Sequence, residues 1–344
     1  MTSTVSFGIV GFGRFGRVHA QTILKSPGLE LTSVCTGSEA SLACAREMCP
    51  NAQLYLHYPS FLRDSKVDVV DIVTPNFLHA RQAQLAISTG RAVLLEKPAA
   101  ISIEEGKKIV EAQQKSNVKV QVGFELRYSP FWVRVKELVD GERIGKLRFG
   151  RIDSWRSPLR SGSSGWRYDK ARVGHQLLEE AIHLIDLAHW LFAKYSTARR
   201  VWCTAQPDDS WISGVFSNAV MLIDFEDGGR FLITDNLNGF GSEVSVSLTG
   251  THGALLGRAI SGYSPWLQDE SWIQFKDSQD RVSHEKIADV DEVSIEIRDF
   301  ARCIRENEEP KITIKDGYSG LSTCMSAIQS IRSKEYEPID RLSS

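Results

Sequence analysis

The sequence predicts an α/β domain with a parallel sheet, followed by an α+β domain built on a mostly antiparallel sheet. Three observations carry this expectation. Short runs rich in Val, Ile and Leu alternate with amphipathic stretches through the first third of the chain. A glycine-rich turn, Gly11-Phe12-Gly13-Arg14-Phe15-Gly16, separates the first such run from the first amphipathic stretch. After about Phe124 the rhythm changes to longer strand-like segments with turn signals between them.

The chain has 344 residues, so two domains of unequal character are expected, at 1–124 and 125–344. In the first, strands are expected at 5–10, 29–35, 67–73, 92–95 and 118–122. Helices are expected between them at 14–25, 39–48, 77–89 and 102–115. Strands alternating with helices imply a parallel sheet covered on both faces. Right-handed crossovers then put the loops that follow the strands on one edge, where such sheets bind ligands.

In the second domain, helices are expected at 129–139 and 176–192, with a closing helix near 318–333. Strands are expected at 147–154, 244–248 and 272–275. The clearest hairpin runs from 221–225 through Asp227-Gly228-Gly229 to 231–234, with glycine where a tight turn needs positive φ. A Ser/Gly-rich loop occupies 160–165.

Composition narrows the class. A hydrophobic fraction of 42% and a charged fraction of 24% are those of a globular protein with a sizeable core. A net charge of -2 gives no reason to expect nucleic acid or an anionic membrane as partner. No apolar run approaches the roughly eighteen residues of a membrane span, and residues 1–6 lack a leader pattern. The 6 cysteines are scattered without a CxxC pair, which argues against a disulfide framework or zinc site and fits a reducing cytoplasm.

The glycine turn has the context that dinucleotide binding requires, a strand before it and a helix after it. The first glycine permits the tight turn and the second lets backbone approach a pyrophosphate. The third allows close helix–strand packing, and the helix N-terminus faces the phosphates. Gly11, Phe12, Gly13, Arg14, Phe15 and Gly16 are therefore cofactor-site candidates, Arg14 as a phosphate contact or a solvated helix-start residue. The ribose-binding carboxylate expected after the second strand is missing. Thr36-Gly37-Ser38 stands there, with no carboxylate before Glu39 and no Arg. The hydroxyls of Thr36 and Ser38 suit either ribose, so NAD and NADP both remain open.

Two further segments are more specific, Thr74-Pro75-Asn76-Phe77-Leu78-His79 and Glu96-Lys97-Pro98. With the glycine turn, with 122–130 and with the helix at 177–186, they make the chain resemble the Gfo/Idh/MocA oxidoreductases. That family includes glucose–fructose oxidoreductase and inositol dehydrogenases. The resemblance implies an N-terminal Rossmann domain and a C-terminal domain whose open sheet lines a substrate cleft on one face and often meets a second subunit on the other. A homodimer or homotetramer follows as the expectation. Thr74, Pro75, Asn76 and His79 would lie along the cofactor, and Glu96 and Lys97 near the nicotinamide ribose, with a cis Lys97–Pro98 bond. His79 is otherwise a helix-start residue.

The implied chemistry is hydride transfer between NAD or NADP and a secondary alcohol of a small polyol, cyclitol or sugar. Histidine titrates near neutrality and serves as base or acid for the hydroxyl proton. His183 stands where the family has its acid/base. Glu179, four residues earlier and on the same face of a continuous helix, stands where many relatives carry aspartate. Lys97 would bind the reacting oxygen and stabilise alkoxide-like charge. Arg127, Tyr128, Trp166 and Arg167 fall where the family surrounds its substrate. Asp186 is a second-layer orienter or a structural residue. A metal held by His175, Glu179 and His183 is disfavoured, because hydride chemistry needs none. Two rival functions remain: a dinucleotide-binding sensor without chemistry, and glycosidic cleavage through transient oxidation.

Overall fold

The computed structural model describes residues 4–157, 162–207, 216–237, 239, 242–260 and 270–342. Among them, in chain order, come β1 (Val5–Val10), α1 (Arg14–Lys25), β2 (Leu29–Cys35), α2 (Glu39–Met48), β3 (Gln53–Tyr55), α3 (Tyr58–Asp64), β4 (Val69–Ile72), α4 (Asn76–Ser88), β5 (Ala92–Glu96), α5 (Ile103–Ser116) and β6 (Val120–Gly123). There follow α6 (Pro130–Asp140), β7 (Leu147–Arg156), α7 (Lys170–Val173), α8 (Gln176–Glu179), α9 (Ala181–Phe192), β8 (Ala198–Pro207), β9 (Phe216–Phe225) and β10 (Arg230–Asn236). The chain continues through β11 (Ser242–Gly250), β12 (Ala254–Ile260), β13 (Ser271–Lys276), β14 (Val282–Ile287), α10 (Glu292–Glu306), α11 (Ile314–Ser333) and β15 (Glu337–Pro338).

Packing divides the chain into two units. The first comprises Met1–Glu125, Ser163–Gly174 and Asp291–Leu321; the second comprises Leu126–Gly162, His175–Val290 and Ser322–Ser344.

The first unit is a Rossmann domain. Its six strands run parallel in the order β3-β2-β1-β4-β5-β6, so the crevice after β1 and β4 lies at the reversal of strand order. Residues such as Phe7, Ile9, Val69 and Val70 are fully buried, as continuous apolar strands in a parallel sheet must be. The edge strand β3 is only three residues long and carries no readable period. Helix α10 completes this unit's core. Its Val293, Ile297, Phe300 and Ala301 share one cluster with Val5, Phe7, Ile9, Ala20 and Ile23.

The second unit holds a nine-stranded sheet in the order β14-β13-β12-β11-β7-β10-β9-β8-β15. Every pairing is antiparallel except β7 with β10. The expected hairpin is present: Arg230 pairs with Asp224, and Gly228 takes φ 85° in the turn. One sheet face is buried through Ile152, Met221, Ile223, Phe231, Ile233, Val246 and Leu248, and α9 packs over β7 and β10. Phe192 of α9 stacks on Phe225 at 3.9 Å. The alternate residues Phe149, Trp155, Val220 and Leu256 are exposed.

The helix expected over 176–192 is broken. Glu180 ends α8 and starts α9 with φ -121° and ψ -54°. Its carboxylate pairs with Arg156 of β7, a partner from another element that local sequence pattern does not reveal. The expectation that Glu179 and His183 lie four apart on one continuous helix is thus corrected.

Candidate active site

The glycine turn shows three different physical demands. Gly11 has φ 101°, and a Cβ there would lie 2.4 Å from the Val73 carbonyl oxygen. A Cβ on Gly16 would lie 2.0 Å from the Gly11 carbonyl oxygen, which forces glycine where α1 meets the turn. Around Gly13 there is nothing within 4 Å of where a Cβ would stand. Nothing in the protein demands glycine at that position, and the open space is what a pyrophosphate approaching the backbone would fill. Gly13 caps α1 without a side-chain hydrogen bond, and the first turn carries no acidic residue. The helix therefore offers its first N–H groups to an anion, and the residues fit a dinucleotide.

The neighbours of the turn separate into backbone and side-chain contributors. Phe12 points into the hydrophobic core, so only its main chain serves the turn. Phe15 is half-buried and meets the His19 ring edge-on at 4.9 Å, while Arg14 is exposed. Thr36 is buried, and its N–H donates to the Tyr55 carbonyl at 2.9 Å. Exposed Ser38 caps α2, accepting from the Ser41 N–H at 3.2 Å.

The loops after β4 and β5 are tied together. Thr74 donates its hydroxyl to Gln82 Oε1 at 2.6 Å, and Pro75 precedes α4 as its cap. Asn76 is buried and donates to the Val173 carbonyl at 3.1 Å. His79 is also buried, with Nε2 2.7 Å from the Thr74 carbonyl oxygen and Nδ1 2.7 Å from that of Pro98. Its ring thus joins the Thr74–Asn76 loop to the Lys97–Pro98 loop. The Lys97–Pro98 bond is cis.

Glu96 is buried at the end of β5, and its Oε2 accepts from the Lys97 N–H at 3.2 Å. Gly123 makes room for it, since a Cβ there would lie 2.6 Å from Glu96 Oε1. Lys97 itself is half-buried. In the same unit Trp166 is buried and the Arg167 guanidinium lies over its ring, 4.6 Å from the centroid.

In the second unit, Glu179 and His183 are both buried on either side of the Glu180 break, and the His183 N–H donates to the Glu180 carbonyl at 3.1 Å. His175 caps α8, accepting at Nδ1 from the Leu177 N–H at 3.2 Å. Tyr128 is buried in the short 3-10 turn Glu125–Tyr128. Arg127, from the same turn, donates Nε to Asp186 Oδ2 at 2.7 Å and Nη2 to Oδ1 at 2.5 Å. This buried fork joins the turn to α9, and it settles Asp186 as the partner of Arg127.

Several buried ionisable groups escaped the sequence reading. His19, on the buried face of α1, holds Asp71 of β4, and Glu296 of α10 is buried in the same unit. In the second unit Asp235 of β10 is fully enclosed, and its carboxyl is pushed up to about 7 by burial and then by the charge of Glu180. A histidine on an otherwise apolar helix face was the one signal available for the first group.

Comparison with known proteins gives two family matches. Residues 5–124 match the profile described as "Oxidoreductase family, NAD-binding Rossmann fold" of GFO_IDH_MocA. Residues 132–256 match the GFO/IDH/MocA C-terminal domain. The chain is 25% identical over 345 residues to scyllo-inositol 2-dehydrogenase (NAD(+)) of Bacillus subtilis, covering 96% of this chain and 95% of that one. It is 26% identical over 285 residues to levoglucosan dehydrogenase of Pseudarthrobacter phenanthrenivorans, covering 73% of each. Among solved structures, a levoglucosan dehydrogenase in complex with NADH and L-sorbose superposes with a TM-score of 0.84 at 21% identity, over 99% of this chain and 100% of that one.

Proposed function

Since this chain belongs to the Gfo/Idh/MocA oxidoreductase family and is an NAD(P)-dependent dehydrogenase acting on CH–OH groups, we propose that its substrate is a cyclitol, polyol or sugar derivative, interconverted between secondary alcohol and ketone. The observation that carries this reading is a turn built to leave Gly13 open beside α1, in one chain with Glu96-Lys97-Pro98 and a buried His183. Relatives named as inositol and levoglucosan dehydrogenases support the substrate class.

When bound, the nicotinamide ring supplies the hydride acceptor or donor. The roles of this chain's residues follow from what they can hold. The open backbone at Gly13 and the first N–H groups of α1 hold the phosphates, and Glu96 accepts hydrogen bonds from ribose hydroxyls. Lys97 binds the reacting oxygen and stabilises its negative charge, and His183 takes or returns the hydroxyl proton, with Glu179 four residues before it as its partner. Tyr128, Trp166 and Arg167 contribute to substrate recognition, and Arg127 braces its turn from below.

The exposed apolar residues Phe149, Trp155, Val220 and Leu256, spread over the outer face of the large sheet, support a homo-oligomer, a dimer or a tetramer, formed through that face. All six cysteines are free thiols, which supports a reducing cytoplasmic location. No helix among the described residues is long and apolar enough to cross a membrane.

The test is NADH or NADPH formation with a panel of inositols, anhydrosugars and aldoses, preceded by thermal melts with each dinucleotide. Turnover of one member confirms the class. Dinucleotide stabilisation with no turnover across the panel overturns it in favour of a sensor.

A further inference from the structure

Four ionisable side chains from four separate elements are buried together in the Rossmann unit. His19 (α1) and Asp71 (β4) are completely enclosed, with Nδ1 2.9 Å from Oδ2 and 3.2 Å from Oδ1. The opposite ring nitrogen, Nε2, lies 3.5 Å from Glu96 Oε1 of β5. Glu296 (α10) is 1% exposed, and both of its carboxyl oxygens lack a hydrogen-bond partner among the described residues. Glu96 is 7% exposed, so the cluster reaches the surface of the unit through this residue.

The charges are interdependent. Burial alone would strip the proton from His19, but Asp71 and Glu96 on either side more than reverse that and hold the ring as imidazolium. Burial, then the charges of Glu96 and Glu125, keep the Glu296 carboxyl protonated. An imidazolium between two carboxylates, with a neutral acid beyond, leaves a single uncompensated negative charge. Gly123 clears the space for Glu96, the Lys97 N–H holds one oxygen and His19 faces the other. A carboxylate oxygen has two acceptor positions, so each keeps one for a ligand hydroxyl.

We propose that His19 is a positioning residue for the dinucleotide. It fixes the Glu96 carboxylate in orientation at the end of β5, with the ring facing Oε1, ready for the diol of the nicotinamide ribose. The inference rests on the dinucleotide reading of this unit. Without the ring, Glu96 Oε1 loses the group that faces it, and the carboxylate is released from the orientation that suits the ribose. Lys97, attached through the N–H that Glu96 holds, loses its anchor as well.

The experiment is an NADH fluorescence titration from about pH 6 to about pH 9 on wild type, His19→Ala and the double variant His19→Gln/Asp71→Asn. The double variant removes both buried charges together, so it folds where the single one leaves Asp71 unpaired. Expected is NADH affinity in wild type that is flat across this range. In the folded double variant affinity is about tenfold weaker across the range, because Glu96 is no longer held in orientation. A folded double variant with wild-type affinity overturns the positioning role alone. Failure of wild type to bind either NADH or NADPH overturns the dinucleotide reading and this role with it.

Discussion

The carbonyl oxygen of Gly11 lies 2.0 Å from the place a Cβ on Gly16 would occupy, whereas the same construction at Gly13 meets nothing within 4 Å. One glycine serves the fold and the other serves a ligand. Gly16→Ala is expected to destabilise the protein by about 1–3 kcal/mol through overpacking, seen as a lower denaturation midpoint. Gly13→Ala is expected to melt within a few degrees of wild type and to bind NADH at least about tenfold more weakly. Equal effects of the two changes on stability would contradict this division.

Lys97→Met and His183→Ala are expected to retain NADH binding and lose turnover. The loss is expected to be about a hundredfold or more, the scale of general acid–base catalysis. Steady-state rates with the substrate found by panel screening, beside NADH titrations of the same samples, provide the check. Full activity in both variants would remove these residues from the chemistry.

The Arg127–Asp186 fork is buried on both sides, with side-chain exposures of 7% and 2%. Asp186→Ala leaves a guanidinium without its counter-charge and is expected to cost about 3–5 kcal/mol in urea unfolding. Arg127→Lys, which keeps the charge but loses the two-pronged geometry, is expected to cost only part of that. Unchanged unfolding midpoints would show that the fork carries little stability.

Asp235 gives a pH signature. Its folded carboxyl titrates at about 7, against about 3.9 in an unfolded chain. Between these values the native state holds a proton that the unfolded state has released. Its contribution is therefore complete below about pH 4 and is lost as pH rises to about 7. Asp235→Asn is expected to exceed wild type in stability at about pH 8, by at most about 4 kcal/mol, and to show no such gain near pH 4. Denaturant midpoints at the two pH values decide it.

Much of the Rossmann unit was legible because its signals are local. A glycine turn and an apolar strand run each act within a few residues. The site was legible only where chemistry is written in consecutive residues, as in Glu96-Lys97-Pro98. His19, Asp71, Glu96 and Glu296 lie far apart in sequence, and only the folded sheet and α10 reveal that they share one burial. Nothing nearby in sequence announces Asp186, 59 residues away, as a partner of Arg127. The Glu180 break is of the same kind: periodicity through 176–192 is unbroken, and the interruption comes with a strand residue, Arg156.

Helix α10 supplies Val293, Ile297, Phe300 and Ala301 to the core that β1 and α1 begin. Synthesis from the N-terminus therefore leaves the nucleotide unit unfinished until α10, ending at Glu306, has been made. A truncated product ending near residue 125 would expose Val5 and Phe7 to solvent and aggregate. The half-built core therefore waits for α10 while β7–β14 of the second unit are translated.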